Sequence, residues 1–126
     1  MVVNCYNNEN TNSNTNKNTN NLLVLVNPSL CIPRVDFTIT KDQIYNVFEK
    51  LDLGRINRVD VINKKSPKGD NYKCVFIHFY YWHETENALK IKNRIMDKND
   101  VKIVYEFPWY WKVCINKWKN DNYKIL

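Results

Sequence analysis

The sequence predicts an α+β fold, a four-stranded antiparallel sheet with two helices on one face, and three observations predict it. Two segments repeat apolar residues at three- and four-residue spacings, as amphipathic helices do. Four runs are rich in β-branched and aromatic residues. Their order is strand, helix, strand, strand, helix, strand. The chain has 126 residues, but positions 4–21 hold ten asparagines in eighteen and almost nothing to bury, so residues 1–27 are expected to form a disordered N-terminal tail. The remainder, on the order of a hundred residues, suffices for one core without disulfides or metal.

Residues 29–35 (SLCIPRV) are the first predicted strand. A helix follows over 40–54 (TKDQIYNVFEKLDLG), with Ile44, Val47, Phe48 and Leu51 as its apolar stripe, Thr40 and Gln43 as a capping box and Gly54 as a left-handed stop. Residues 56–62 (INRVDVI) form the second strand. The polar stretch 63–71 (NKKSPKGDN) reads as a loop leading to the third, 72–81 (YKCVFIHFYY). In that run Val75, Ile77 and Phe79 share one face, and Cys74, Phe76 and His78 the other. The second helix spans 85–96 (TENALKIKNRIM), capped by Thr85, with Ala88, Ile91 and Ile95 inward and Lys90, Lys92 and Arg94 on the other side. Residues 101–107 (VKIVYEF) close the sheet. The folded domain is thus expected over 28–107, with a basic, aromatic C-terminal extension over 108–126.

This element order is that of the split βαβ, or ferredoxin-like, sandwich, in which one sheet face stays open. By alternation that face presents Cys31 from the first strand, Arg58 and Asp60 from the second, and Cys74, Phe76 and His78 from the third.

At these residues the chain resembles the RNA-recognition motif (RRM) family. Residues 72–79 (YKCVFIHF) sit where that family carries K/R-G-F/Y-G/A-F-V-x-F/Y, and the match covers Phe76, Ile77, Phe79 and, loosely, Val75. Tyr72, Lys73 and Cys74 depart from it. Residues 30–35 (LCIPRV) align with the family's hexamer, with Cys31 at a stacking position. The resemblance implies RNA binding on the open face through one retained ring, Phe76, and hence weak sequence specificity. The segments GRINRVDVI, VFIHFYYW and VKIVYEFPWYWKV also resemble small RRM-like proteins of large DNA viruses, which implies a viral protein of the host cytoplasm or viral factory.

Each candidate has a functional and a plain reading. Phe76 either stacks a splayed base, for about 1–3 kcal/mol, or is buried beneath the C-terminal extension. Lys64, Lys65, Lys68 and Lys73 either grip a phosphate backbone or form a solvated hairpin tip. Arg58 either meets a base or phosphate or pairs with Asp60 or Asp36. His78 lies beside them without metal partners at ligand spacing. In the extension, Trp109, Tyr110, Trp111, Trp118 and Tyr123 interleave with Lys112, Lys117, Lys119 and Lys124. That pattern suits single-stranded nucleic acid, a strand or helix docked on the sheet, or a protein anchor.

Composition narrows the function further. Lys and Arg number 19 against 13 Asp and Glu, a net charge of +6, and Glu9 and Lys17 cancel within the Asn-rich stretch, so the whole surplus falls on the folded part. This favours a polyanionic partner and argues against an acidic mimic or a calcium protein. The four cysteines are scattered without a Cys-x-x-Cys pair, which argues against structural zinc and a disulfide framework and for a reducing, intracellular setting. The longest apolar run, 22–26, is too short to span a bilayer, and the head lacks the plan of a signal peptide. With two glycines, Gly54 and Gly69, there is no Gly-rich phosphate loop, and spacing suggests no Ser, His and acid set. The expectation is a non-catalytic module without cofactor or small-molecule substrate, binding single-stranded RNA or DNA. The alternative is a protein-interaction or virion scaffold module.

Overall fold

The computed structural model describes residues 1–5 and 27–117. Along the chain run β1 (Val2–Asn4), β2 (Leu30–Asp36), α1 (Lys41–Leu51), β3 (Gly54–Lys65), β4 (Asn71–Trp82), α2 (Glu86–Met96), β5 (Val101–Glu106) and β6 (Trp109–Ile115). The strands form one six-stranded sheet in the order β1-β5-β6-β2-β4-β3. β1 runs parallel to β5, and every other pairing is antiparallel. No described helix is long and apolar enough to cross a membrane.

The four-stranded antiparallel, ferredoxin-like sheet is therefore overturned by a mixed sheet of six. The decisive difference is β6. Residues 109–115, expected in an extension beyond the domain, turn back after Phe107 and Pro108, pair along β5 and lie between β5 and β2. The physical reason is their period of two: Trp111 and Val113 are buried, while Tyr110 and Lys112 are exposed. β1 lies within the stretch expected to be a disordered tail; its neighbour Met1 accepts through its carbonyl from the Lys102 N–H at 2.8 Å. Most of that stretch, residues 6–26, lies outside the described residues, as do Trp118, Lys119, Tyr123 and Lys124.

The core fills the space between the helices and one sheet face. Ile44, Phe48 and Leu51 of α1 and Ala88, Ile91 and Ile95 of α2 pack with Leu30 and Ile32, Val75 and Ile77, Ile103, Trp111 and Val113. The Phe48 and Trp111 rings stack at 6.3 Å, and Tyr105 stacks on Trp111 at 4.2 Å. α1 carries the capping box: the Thr40 hydroxyl accepts from the Gln43 N–H at 3.1 Å, and the Gln43 side chain accepts from the Thr40 N–H at 2.8 Å. Thr85 caps α2 by accepting from the Ala88 N–H.

Two local expectations change. The left-handed residue that ends α1 is Asp52 (φ 54°, ψ 46°), not Gly54. Gly54 opens β3 opposite Trp82, and a Cβ there would meet the Tyr81 carbonyl oxygen at 2.3 Å. Lys92 does not lie on the outer side of α2. It is buried with Nζ 5.9 Å from the Trp82 ring centroid, because positions 88, 91, 92 and 95 complete one inward stripe.

Candidate nucleic-acid interface

Register builds the face opposite the helices. Directly paired residues of a sheet point to the same side, and one row crosses four strands: Cys114 pairs with Cys31, Cys31 with Phe76, and Phe76 with Asp60. Adjacent rows add Arg58 opposite His78, Ile62 opposite Cys74, and Lys112 opposite Lys102. The residues assigned to this face by alternation thus stand together. β5 and β6 extend it with Lys102, Tyr110, Lys112 and Cys114.

The β5–β6 end is cationic and aromatic. Lys102 and Lys112 sit directly across from each other, a like-charge pair that disfavours itself. Their relief is partial: Lys102 Nζ lies 5.0 Å from the Tyr110 ring centroid, and Lys112 Nζ reaches Asp100 only at 4.0 Å, with both side chains about half exposed. A phosphate placed there would neutralise charge that the protein leaves largely uncompensated. Lys102 was missed in the sequence because it sits in a run read only as a strand; its partner is visible only once β6 is paired.

Toward β3 the face is polar and internally satisfied. The Ser29 hydroxyl lies 2.8 Å from His78 Nδ1, and His78 Nε2 lies 3.0 Å from Asp60 Oδ2. With Nε2–H donating to the carboxylate, Nδ1 accepts from the serine hydroxyl. Arg58 Nε donates to the same carboxylate at 3.1 Å. A Ser, His and acid chain therefore exists although no spacing announced it, since the three residues come from three separate parts of the chain. Ser29 is buried, at 7% exposure, so its oxygen is not offered to a ligand; the chain fixes the His78 ring on the face. Arg58 takes the plain reading, a pair with Asp60.

Other candidates disperse. The β3–β4 ladder runs to Lys65 opposite Asn71, which puts Lys64 and Lys65 on the strand and leaves Lys68 in a tight turn closed by the Gly69 N–H and the Ser66 carbonyl at 2.8 Å. Lys73 is engaged, donating to the Ile39 carbonyl at 2.6 Å. Trp111 lies on the helix side in the core and does not reach the face. Trp109 is exposed at the β5–β6 turn beside Phe107, 63% and 74% accessible.

Cys31, Cys74 and Cys114 fill the middle of the face as half-buried free thiols. The Cys114 thiol donates to the Cys31 carbonyl at 3.6 Å. Hydrogen bonding from Cys31, opposed by burial and Asp100 and aided by Lys117 and Lys112, lowers the Cys114 pKa to about 7. The hydrogen bond with Cys114, burial and the neighbouring thiols push Cys31 upward. Among the described residues no group of three or more His, Cys, Asp or Glu side chains could hold a metal ion.

Fold and face together define an α+β protein with a helix-covered sheet side and a basic, aromatic and thiol-bearing opposite side. Compared with known proteins, the chain matches no family model, no curated protein and no solved structure.

Proposed function

We propose that this face binds single-stranded nucleic acid without catalysis and with weak sequence specificity, RNA in the first instance and DNA as the second ligand. The observation that carries the reading is the opposed pair Lys102 and Lys112 on the same side as Tyr110 and Phe76. Cations set among rings follow phosphates while the rings stack bases, and stacking is indifferent to base identity. The proposed binding set is Phe76, Tyr110, Lys102 and Lys112, with Lys64 and Lys68 as outlying phosphate partners. Cys31 and Cys74 stand where further rings would strengthen base reading, which supports low specificity.

A protein-interaction module is the second reading, favoured by the exposed pair Phe107 and Trp109 at one hairpin tip, since Trp is a frequent interface anchor. Fluorescence anisotropy of the full chain with labelled single-stranded RNA and DNA separates the two. The full chain is needed because β1 is part of the sheet. Micromolar or tighter binding that persists at physiological salt, and that falls on Phe76→Ala or Tyr110→Ala but not on Trp109→Ala, supports the nucleic-acid reading. Binding absent, or confined to low salt as for any basic protein, overturns it.

A further inference from the structure

The three thiols are unused by nucleic-acid binding, and their placement is specific. Cys31 and Cys114 are a direct cross-strand pair of β2 and β6. Such pairs have Cα atoms about 4.5–5.5 Å apart, inside the range of about 4.4–6.8 Å that a disulfide bridges. Cys74 is offset: Cys31 pairs with Phe76, two residues along β4, and diagonal neighbours lie about 7–8 Å apart, beyond that span. The fourth cysteine, Cys5, is buried in the core. The register therefore favours the directly opposed Cys31–Cys114 pair, while the Cys74 thiol hydrogen-bonds Cys31 from the diagonal position.

We propose that Cys114 and Cys31 form a dithiol site on the open face that exchanges with small disulfides of the glutathione class and closes to a cross-strand disulfide. Cys114 is the attacking group. Lys112 lies two residues before it on the same side and Lys117 beyond it, with Asp100 as the opposing charge, and its lowered pKa fits a thiolate near neutrality. In the first step the Cys114 thiolate attacks one sulfur of the small disulfide. A new S–S bond forms as the old one breaks, and the departing thiolate takes a proton from solvent. Cys31 then gives its proton to solvent and its sulfur attacks Cys114 Sγ, expelling the second small thiol. Two protein thiols are oxidised by two electrons, and one small disulfide is reduced to two thiols. This site stands apart from the nucleic-acid reading and is tested without any nucleic acid.

The full chain is equilibrated in mixtures of reduced and oxidised glutathione, acid-quenched, alkylated and digested with trypsin; Arg34, Lys73, Lys112 and Lys117 separate Cys31, Cys74 and Cys114 into different peptides. A Cys31–Cys114 peptide as the main cross-link, retained in Cys74→Ser, is the expected result. In Cys31→Ser the glutathione should remain on Cys114 as a mixed disulfide. On reduced wild-type protein, Cys114 should be alkylated at neutral pH about tenfold or more faster than Cys5. A dominant Cys31–Cys74 link, glutathione spread evenly over all thiols, or no oxidation at all overturns the proposal. If Cys31→Ser does not fold, the wild-type cross-link map and alkylation order decide alone.

Discussion

Tyr110 and Trp111 are adjacent in β6, alike in chemistry and opposite in fate. Trp111 is buried between Tyr105 and Phe48, whereas Tyr110 is exposed beside Lys102 and Lys112 on the other side. The contrast extends along the strands, with Val75 and Ile77 against Phe76 and His78, and Ile103 against Lys102. Composition marks a segment as aromatic and basic. Parity decides which rings hold the molecule together and which are offered to a partner.

The largest effects should come from the covered side. Trp111→Ala removes a ring from the middle of the core and is expected to cost about 3–5 kcal/mol, read as a lower urea midpoint, while Tyr110→Ala stays close to wild type. Equal losses for the two would break the comparison. Gly54→Ala belongs with Trp111→Ala, because its Cβ would collide with the backbone of β4; a cost of about 1–3 kcal/mol is expected. A Gly54→Ala variant as stable as wild type would mean that the β3–β4 approach relaxes freely.

The open side should answer in affinity instead. Phe76→Ala and Tyr110→Ala are each expected to weaken single-stranded RNA binding by about 1–3 kcal/mol, the worth of one stacked base, with little change in the unfolding midpoint. Loss of folding in the Phe76 variant would make that ring core rather than platform.

How far the sequence reveals this arrangement differs between local and non-local features. Both helices, their threonine caps and the alternation of residues 74–79 are legible because each depends on neighbours within a few positions. β6 was hidden because Trp109, Trp111 and Lys112 carry a compositional signal that masks their period of two, and because a strand's partners cannot be read from the strand itself. The opposed lysines, the paired thiols and the Ser29, His78 and Asp60 chain all depend on which strands lie side by side. The lysine and thiol pairs became visible only with β6 seated between β5 and β2. Lys92 shows the reverse limit: its charge pointed outward, while its position in the helical stripe turned its long apolar stem inward.

Charge on the open side is expected to act more gently than its rings. Lys102→Gln or Lys112→Gln should reduce the dependence of binding on salt by about 0.7 in the log–log slope for each phosphate no longer neutralised. Because each substitution also removes one member of a like-charge pair, stability should hold or rise slightly. A variant that binds as before with an unchanged slope would take that lysine off the phosphate path. One that unfolds more easily would mean that Lys102 and Lys112 help to join β5 and β6 rather than repel.

The smallest effect concerns pH and isolates the thiols. Folded Cys114 has a pKa of about 7, below the value of about 8.5 expected of an unfolded cysteine. Between these values the unfolded chain holds a proton that the folded protein has released, so Cys114 contributes stability that grows as pH rises through this window and is lost as pH falls through about 7. Cys31 shifts the other way, and its opposing contribution begins only where an unfolded thiol ionises, above about pH 8.5. Comparing urea midpoints of wild type and Cys114→Ser from about pH 6 to about pH 8.5, a range that brackets both thiol values, cancels titrations common to both. The wild-type advantage should widen with pH by less than about 1 kcal/mol, since the group is only half buried and partly screened by solvent. A difference that stays flat or narrows with rising pH would remove the preferred thiolate from Cys114, leaving its neighbours Lys112 and Lys117 as the only ground for choosing the attacking sulfur.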